Sequence, residues 1–360
     1  MAPPNLSRRQ TLISALSAGV GAVVAAPSAA QTPDIQLLPL PTRLYKTRAP
    51  GREPNESWVF WLMVQTTRDR PLAVRAMTVR MFNGENLLKT TTVSGEGLAP
   101  LVISRPGRPR LADGREPPVP LYWPQGVRMR CTEPAAAGVN SMAVDLTLSG
   151  GETEVGIGTV LPIEVYRQKT TLIYPFQGAG IVTNAGVVEG GHGNRSGQFA
   201  LDGVGLTDDY GVYLPGSDRN NVSASYAGWG RPLVAPADGI VVRARSDRPD
   251  QPDPENSDPA YYAPEHPNGG DPGNHLVIDH ENGEFSMMAH FMAGSMMVAA
   301  GERVRQGQEI GRLGSSGDTV TPHVHYQLQD GPDWQWADGL PCVFSNVSAS
   351  LARGSYFKAR

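Results

Sequence analysis

The sequence predicts an all-β protein of two domains, an immunoglobulin-like β-sandwich followed by an antiparallel β-sheet domain that carries the chemistry. Three observations support this. Short β-branched and aromatic runs recur from residue 36 onward, separated by turn residues and with no convincing helical period. At 360 residues the chain is long enough for two domains with separate cores. All seven histidines fall between His192 and His325, which confines imidazole chemistry to the second half.

Taken in order, the chain opens with Ser7-Arg8-Arg9-Gln10, a mild apolar run from Leu16 to Ala26, and then Ser28-Ala29-Ala30. A basic segment, an apolar run too short to span a bilayer comfortably and small residues at its end are the parts of an export signal. Paired arginines before a Gly/Ala-rich run resemble a twin-arginine signal over 1–30, the class read by a transporter of folded proteins. A general secretion signal or an uncleaved anchor is the alternative. No later stretch reads as a membrane span, so none is expected after signal removal. The net charge of −4 argues against a protein that coats nucleic acid or an anionic membrane. Cys131 and Cys342 permit one bridge in an oxidising compartment; two buried thiols are the other reading.

The sandwich is expected over 31–170. Trp58 to Thr66 is β-branched and aromatic, 73–82 alternates, Asn83-Gly84 marks a turn into 86–92, and 141–148 and 154–166 add strands. The Pro- and Arg-rich stretch 104–125 reads as an irregular loop. With no His and no acid cluster at ligand spacing, this domain reads as a structural or positioning accessory.

The second domain is expected over 171–345, with a tail at 346–360. Its centre is Pro322-His323-Val324-His325-Tyr326-Gln327-Leu328. As a strand this alternates, so His323, His325 and Gln327 share one face while Val324, Tyr326 and Leu328 share the other. Paired imidazoles on one face can offer a nitrogen ligand to a transition metal and hold a second base beside it. Asp202 stands on the polar side of a half-buried strand, and His192 sits among glycines that leave its backbone free to bend. Residues 232–243 read as strand, turn, strand. His275 to His280 and Glu284 to His290 form a hairpin; a two-residue Asn282-Gly283 loop would set His275 opposite His290, where it would orient that ring.

The ordered series His192, Asp202, Ala235-Pro-Ala-Asp-Gly239, Gly273-Asn-His-Leu-Val-Ile-Asp-His280, Ala289-His290, Gly307-Gln-Glu-Ile-Gly311 and His323-Val-His325 resembles the lysostaphin-type zinc metallopeptidases that cut cell-wall peptides. The resemblance runs from about His192 to Leu328. It implies one zinc ion per chain bound by His192, Asp202 and His325, with His290 and His323 as the catalytic pair. The gap between His192 and Asp202 is longer than in the best-known members. The chemistry is consistent with these assignments: two His and one Asp leave a tetrahedral zinc with an open position. With no Glu placed as in a His-Glu-x-x-His helix, His290 and His323 are the available acid and base, and their division of labour stays open.

Two long insertions, 203–231 and 246–272, are expected to wall a substrate groove, with Tyr210, Tyr213, Tyr226 and Trp229 as contacts; disorder or self-occlusion are the alternatives. The expected function is a zinc endopeptidase acting on peptidoglycan stem peptides or cross-links in the periplasm, or outside the cell. One rival is a silent module of the same shape that activates another wall hydrolase; against it, all five site positions are filled. The segments 235–241 and 301–307 also resemble biotinyl or lipoyl carriers, which need a lysine, and none lies between Lys169 and Lys358.

Overall fold

The computed structural model describes residues 34–41, 43–48, 55–67, 72–103, 125–150, 153–186, 191–192, 194–217, 222–266, 269–348 and 351–360. The export signal expected at 1–30 and nearly all of the loop expected at 104–125 lie outside the described residues. Within them no helix is long and apolar enough to cross a membrane. Of the described residues, those within 1–39, 61–129 and 133–163 form one compact unit and those within 40–60, 130–132 and 164–360 a second.

The all-β expectation is met. The first part of the chain holds β1 (Ile35–Leu40), β2 (Leu44–Tyr45), β3 (Thr47–Arg48), β4 (Asn55–Thr66), β5 (Ala73–Asn83), β6 (Asn86–Ser94), β7 (Val102–Ile103), β8 (Gly126–Pro134), β9 (Ser141–Gly150) and β10 (Thr153–Glu164). One sheet orders β1-β4-β8-β7, and in another β10, β9, β5 and β6 are neighbours. The expected runs at 58–66, 73–82, 86–92, 141–148 and 154–166 all lie wholly or mostly within these strands. Cys131 is buried and Cys342 is partly buried.

The second part holds β11 (Gly178–Asn184), β12 (Leu201–Gly205), β13 (Pro232–Val234), β14 (Gly239–Arg245), β15 (His275–Asp279), β16 (Phe285–Ala289), β17 (Arg303–Val304), β18 (Glu309–Arg312), β19 (Val324–Gln329), β20 (Gly339–Leu340) and β21 (Tyr356–Ala359). A large antiparallel sheet orders β17-β14-β15-β16-β19-β12-β11-β21. The stretch expected as a tail thus contributes β21 to this sheet, against β11. The strand, turn and strand expected over 232–243 are present as β13 and β14, which lie in different sheets: β13 joins β18, and β14 lies between β15 and β17.

One face of the large sheet is apolar. Leu276, Ile278, Met288, Val324, Tyr326 and Leu328 belong to one buried cluster, with Tyr174, Phe344 and Phe357. The alternation of β19 therefore works as the sequence suggests: odd positions from His323 to Gln327 are left for the opposite face. Tyr174 sits beneath β12, its ring centroid 4.9, 5.1 and 4.6 Å from those of Phe176, Phe344 and Phe357. A Cβ at Gly203 would come within 1.8 Å of its hydroxyl, so only glycine fits beside Asp202 there. That hydroxyl is buried with no hydrogen-bond partner. Tyr174→Phe is therefore expected to raise stability by about 1 kcal/mol. Urea unfolding checks this; a loss of stability would mean that the hydroxyl has a partner.

The β15–β16 hairpin departs from expectation by one residue. His280 N donates to Glu284 O at 3.0 Å, which leaves a three-residue loop, Glu281-Asn282-Gly283. Glu281 and Gly283 take φ of 59° and 87°, and Asn282 Oδ1 accepts from Glu284 N instead of forming a two-residue turn. Leu276 consequently pairs with Met288, so the count sets Ala289, not His290, across from His275. The expected pairing of His275 with His290 is overturned by this longer loop.

Candidate metal centre

The polar face of the sheet is built by strand register. Asp202 on β12 pairs with His325 on β19, and His325 pairs on its other side with Ala289 of β16. His323, one residue before β19, and His290, one residue after β16, come from the same end of adjacent strands. His192 also lies at this end, beside Gly191, which packs against the Ala185 carbonyl; a Cβ at Gly191 would fall 1.6 Å from that oxygen. His192, Asp202, His290, His323 and His325 all line one cavity of about 300 Å³.

Asp202 is the hub. Its Oδ2 lies 3.1 Å from His192 Nε2, and its Oδ1 lies 3.0 Å from His325 Nδ1 and 3.5 Å from His323 Nε2. Burial works against its charge, but the surrounding imidazoles, His323 foremost, hold its carboxyl well below the usual carboxylate range. Burial also lowers the pKa of His192 against the pull of Asp202, and pushes His290, with help from His323 and His325, down to about 3.

The two histidines beside this group are fixed by main-chain oxygens. His290 Nδ1 lies 2.8 Å from Ser316 O, and His323 Nδ1 lies 2.8 Å from Thr321 O. A carbonyl can only accept, so in each neutral ring Nδ1 carries the proton and Nε2 keeps the lone pair. Strained backbone delivers both anchors. His290 itself has φ of 65°, and Thr321, a β-branched residue, has φ of 63°. Such conformations cost roughly 1–3 kcal/mol and persist where neighbours over-determine them. Here His290 N donates to Pro272 O, its carbonyl accepts from Gly314 N, and Thr321 N donates to Pro254 O.

His192, Asp202 and His325 each offer a donor atom, all within 4.8 Å of one another, and form a group that can hold a metal ion. Ligands on a tetrahedral cation such as zinc, with arms of about 2.0–2.1 Å, stand about 3.3 Å apart. The contacts of 3.0 and 3.1 Å around Asp202 are close to that spacing. His192 Nδ1 is buried without a partner, so hydrogen bonding alone leaves this ring incompletely satisfied. The donor set thus fits a first-row cation.

Other expected site residues lie elsewhere. His275 Nδ1 bonds to Gly273 O at 2.8 Å, and the ring does not line the cavity. Tyr210, Tyr213, Tyr226 and Trp229 do not line it either. Tyr210 packs edge-on against Tyr356, and Tyr213 packs on Tyr226, which is buried. The second insertion does supply a wall, through Gly270, Asp271 and Pro272, faced by Asp318 and Trp334. Asp318 accepts from Tyr262 hydroxyl at 2.6 Å, Ser257 Oγ at 3.0 Å and Gly270 N at 2.7 Å, stitching that insertion to the rim. Asn184 was not foreseen: it stands opposite Asp202 in the β11–β12 register, with Nδ2 3.4 Å from His192 Nε2.

A buried carboxylate in contact with three imidazoles, with a fourth lining the same cavity on one face of an antiparallel sheet, is a histidine-rich cluster of the kind that can hold a metal ion. Residues 220–335 match the model of Peptidase family M23. The match includes His290, His323 and His325. Two curated relatives come from Vibrio cholerae serotype O1. The peptidoglycan DD-endopeptidase ShyC is 42% identical over 56 residues, covering 16% of this chain and 12% of that protein. The peptidoglycan DD-endopeptidase ShyA is 30% identical over 99 residues, covering 28% of this chain and 17% of that protein. The chain thus aligns with under a fifth of either relative's length. Among solved structures, the catalytic domain of lysostaphin from Staphylococcus simulans is similar over 45% of this chain and 88% of that one, at 17% identity and a TM-score of 0.26.

Proposed function

We propose that the protein is a zinc-dependent endopeptidase that hydrolyses peptide bonds in peptidoglycan stem peptides or cross-links. The observation that carries this reading is the convergence of His192, Asp202 and His325 donor atoms within 4.8 Å, with His290 and His323 in the same cavity. The match of residues 220–335 to a peptidase family and the peptidoglycan DD-endopeptidase activity of the two Vibrio relatives support the substrate class.

In this reading His192, Asp202 and His325 hold one zinc ion per chain. Polarisation of a carbonyl and a lowered pKa for water are the chemistry such an ion supplies when bound. The protein's own contribution is proton handling. His290 and His323, each with Nδ1–H tied to a main-chain oxygen, turn Nε2 to the reaction. One accepts the proton of water and the other protonates the leaving amine. Asp271, Pro272, Asp318 and Trp334 supply the wall along which a peptide lies.

The remaining parts of the reading concern context. Residues 1–30 act as a twin-arginine-type signal that delivers the chain to the periplasm, 31–170 form an immunoglobulin-like accessory domain, 171–345 the peptidase domain, and 346–360 its C-terminal extension.

Metal content before and after Asp202→Ala tests the centre. About one zinc per chain is expected in the parent and none in the variant, read by elemental analysis after dialysis. Release of new amino groups from purified peptidoglycan tests the activity. A parent that binds zinc yet releases none would be the silent, hydrolase-activating module, and a parent that binds no zinc would sink the metal centre.

A further inference from the structure

The odd positions of β19 and its exit form a hydrogen-bonded chain. Gln329 Nε2 donates to the main-chain oxygen of Gly331 at 2.6 Å, Gln327 Nε2 donates to Gln329 Oε1, and Gln327 Oε1 lies 2.9 Å from His325 Nε2. Gln329 is fully buried and Gln327 is only 3% exposed, so each amide must be satisfied within the protein.

The direction of this chain is imposed from its far end. The Gly331 carbonyl only accepts, so Gln329 must present its NH₂ group there and its oxygen backward. Gln327 must then orient the same way, which turns Oε1 to the imidazole. An acceptor facing Nε2 places the neutral ring's proton on Nε2. Nδ1, 3.0 Å from Asp202 Oδ1, is left with its lone pair.

We infer that Gln327 and Gln329 are positioning residues that hold His325 in the Nε2–H tautomer, keeping Nδ1 available as a ligand atom. This rests on the zinc reading above. Without the two amides, the ring gains more by carrying its proton on Nδ1 and donating to the Asp202 carboxylate, a charge-assisted hydrogen bond that would occupy two of the three ligand atoms. The glutamines oppose that state by setting an acceptor against the unprotonated Nε2. His290 and His323 are pinned the other way, through Nδ1, so one cavity contains both tautomers by construction.

The test uses the full chain. ¹⁵N–¹H correlation spectra of metal-free parent protein report which nitrogen of His325 is protonated, and Nε2 is expected. Gln327→Leu is expected to move the proton to Nδ1 and to weaken zinc binding roughly 10–100-fold in competition with a chromogenic chelator. Gln329→Leu, which frees the Gln327 amide to reverse, is expected to act in the same direction. Gln327→Glu keeps an acceptor on Nε2 and is expected to bind nearly as tightly as the parent. A parent spectrum with the proton on Nδ1, or a folded Gln327→Leu protein with parental affinity, overturns the inference. The parent spectrum and Gln327→Glu decide the matter if Gln327→Leu does not fold. Absence of zinc binding in the parent itself would count against the proposed function, whereas parental affinity in Gln327→Leu would leave that function standing.

Discussion

His325→Ala is expected to abolish both zinc binding and hydrolysis, whereas His323→Ala is expected to keep about one zinc per chain and lose hydrolysis by roughly 10²–10⁴-fold. The two side chains are only two residues apart on one face, so nothing in the sequence spacing separates their roles. Their anchors do. His325 turns Nδ1 to Asp202 and Nε2 to Gln327, while His323 gives Nδ1 to Thr321 O, with Nε2 3.5 Å from Asp202. Metal analysis and peptidoglycan digestion on both variants make the comparison. Equal loss of zinc in both would exchange or merge the roles assigned to them.

Glu284→Ala is expected to destabilise the second unit by about 3 kcal/mol. The carboxylate is fully buried and accepts from Lys169 N at 2.7 Å, Thr170 N at 2.8 Å and the Tyr166 hydroxyl. Its removal strands two main-chain donors and a hydroxyl, each worth about 1–3 kcal/mol when left unpaired and buried. The same group links stability to pH. Burial opposes its charge, but the hydrogen bonds from Thr170 and Tyr166 outweigh this and hold its pKa below the ordinary value. Its contribution is therefore fully present above the unfolded-state pKa of about 4.3 and is lost as pH falls from there through the lower folded value. Urea midpoints at neutral pH and near pH 3 should differ less in Glu284→Gln than in the parent. An unchanged difference would remove Glu284 from the acid response.

The parts of the centre that follow from strand alternation were legible in the sequence. His323, His325 and Gln327 fall on one face of β19 because period-two geometry leaves no other choice once Val324, Tyr326 and Leu328 are buried. Asp202 followed from the same logic on β12. What failed depended on loops. One extra residue in the β15–β16 turn displaced His275, since a register counted from a turn inherits any error in its length. The aromatic residues of 203–231 looked like a groove because exposed-looking tyrosines suggest contacts, yet Tyr226 is buried and Tyr210 packs on Tyr356, a neighbour more than a hundred residues away. Asn184 carried no signal of its own; only its register opposite Asp202 distinguishes it. The glutamine chain was half visible, as Gln327 shares the face of the histidines, but its direction is set by a carbonyl at Gly331 that sequence does not orient.

The hydrogen bonds on Asp318 bear on the thermodynamics of anything that enters the cavity. An insertion as long as 246–272 would ordinarily lose conformational freedom when a ligand closes against it, and that entropy would be subtracted from affinity. Here Tyr262, Ser257 and Gly270 already clamp Asp318, and Asp271 is tied to Gly273 N at 2.9 Å. The ordering cost of this wall is thus met when the chain folds. Whatever ligand enters meets a preorganised rim, and its binding entropy is set by the ligand's own loss of freedom rather than by this wall's.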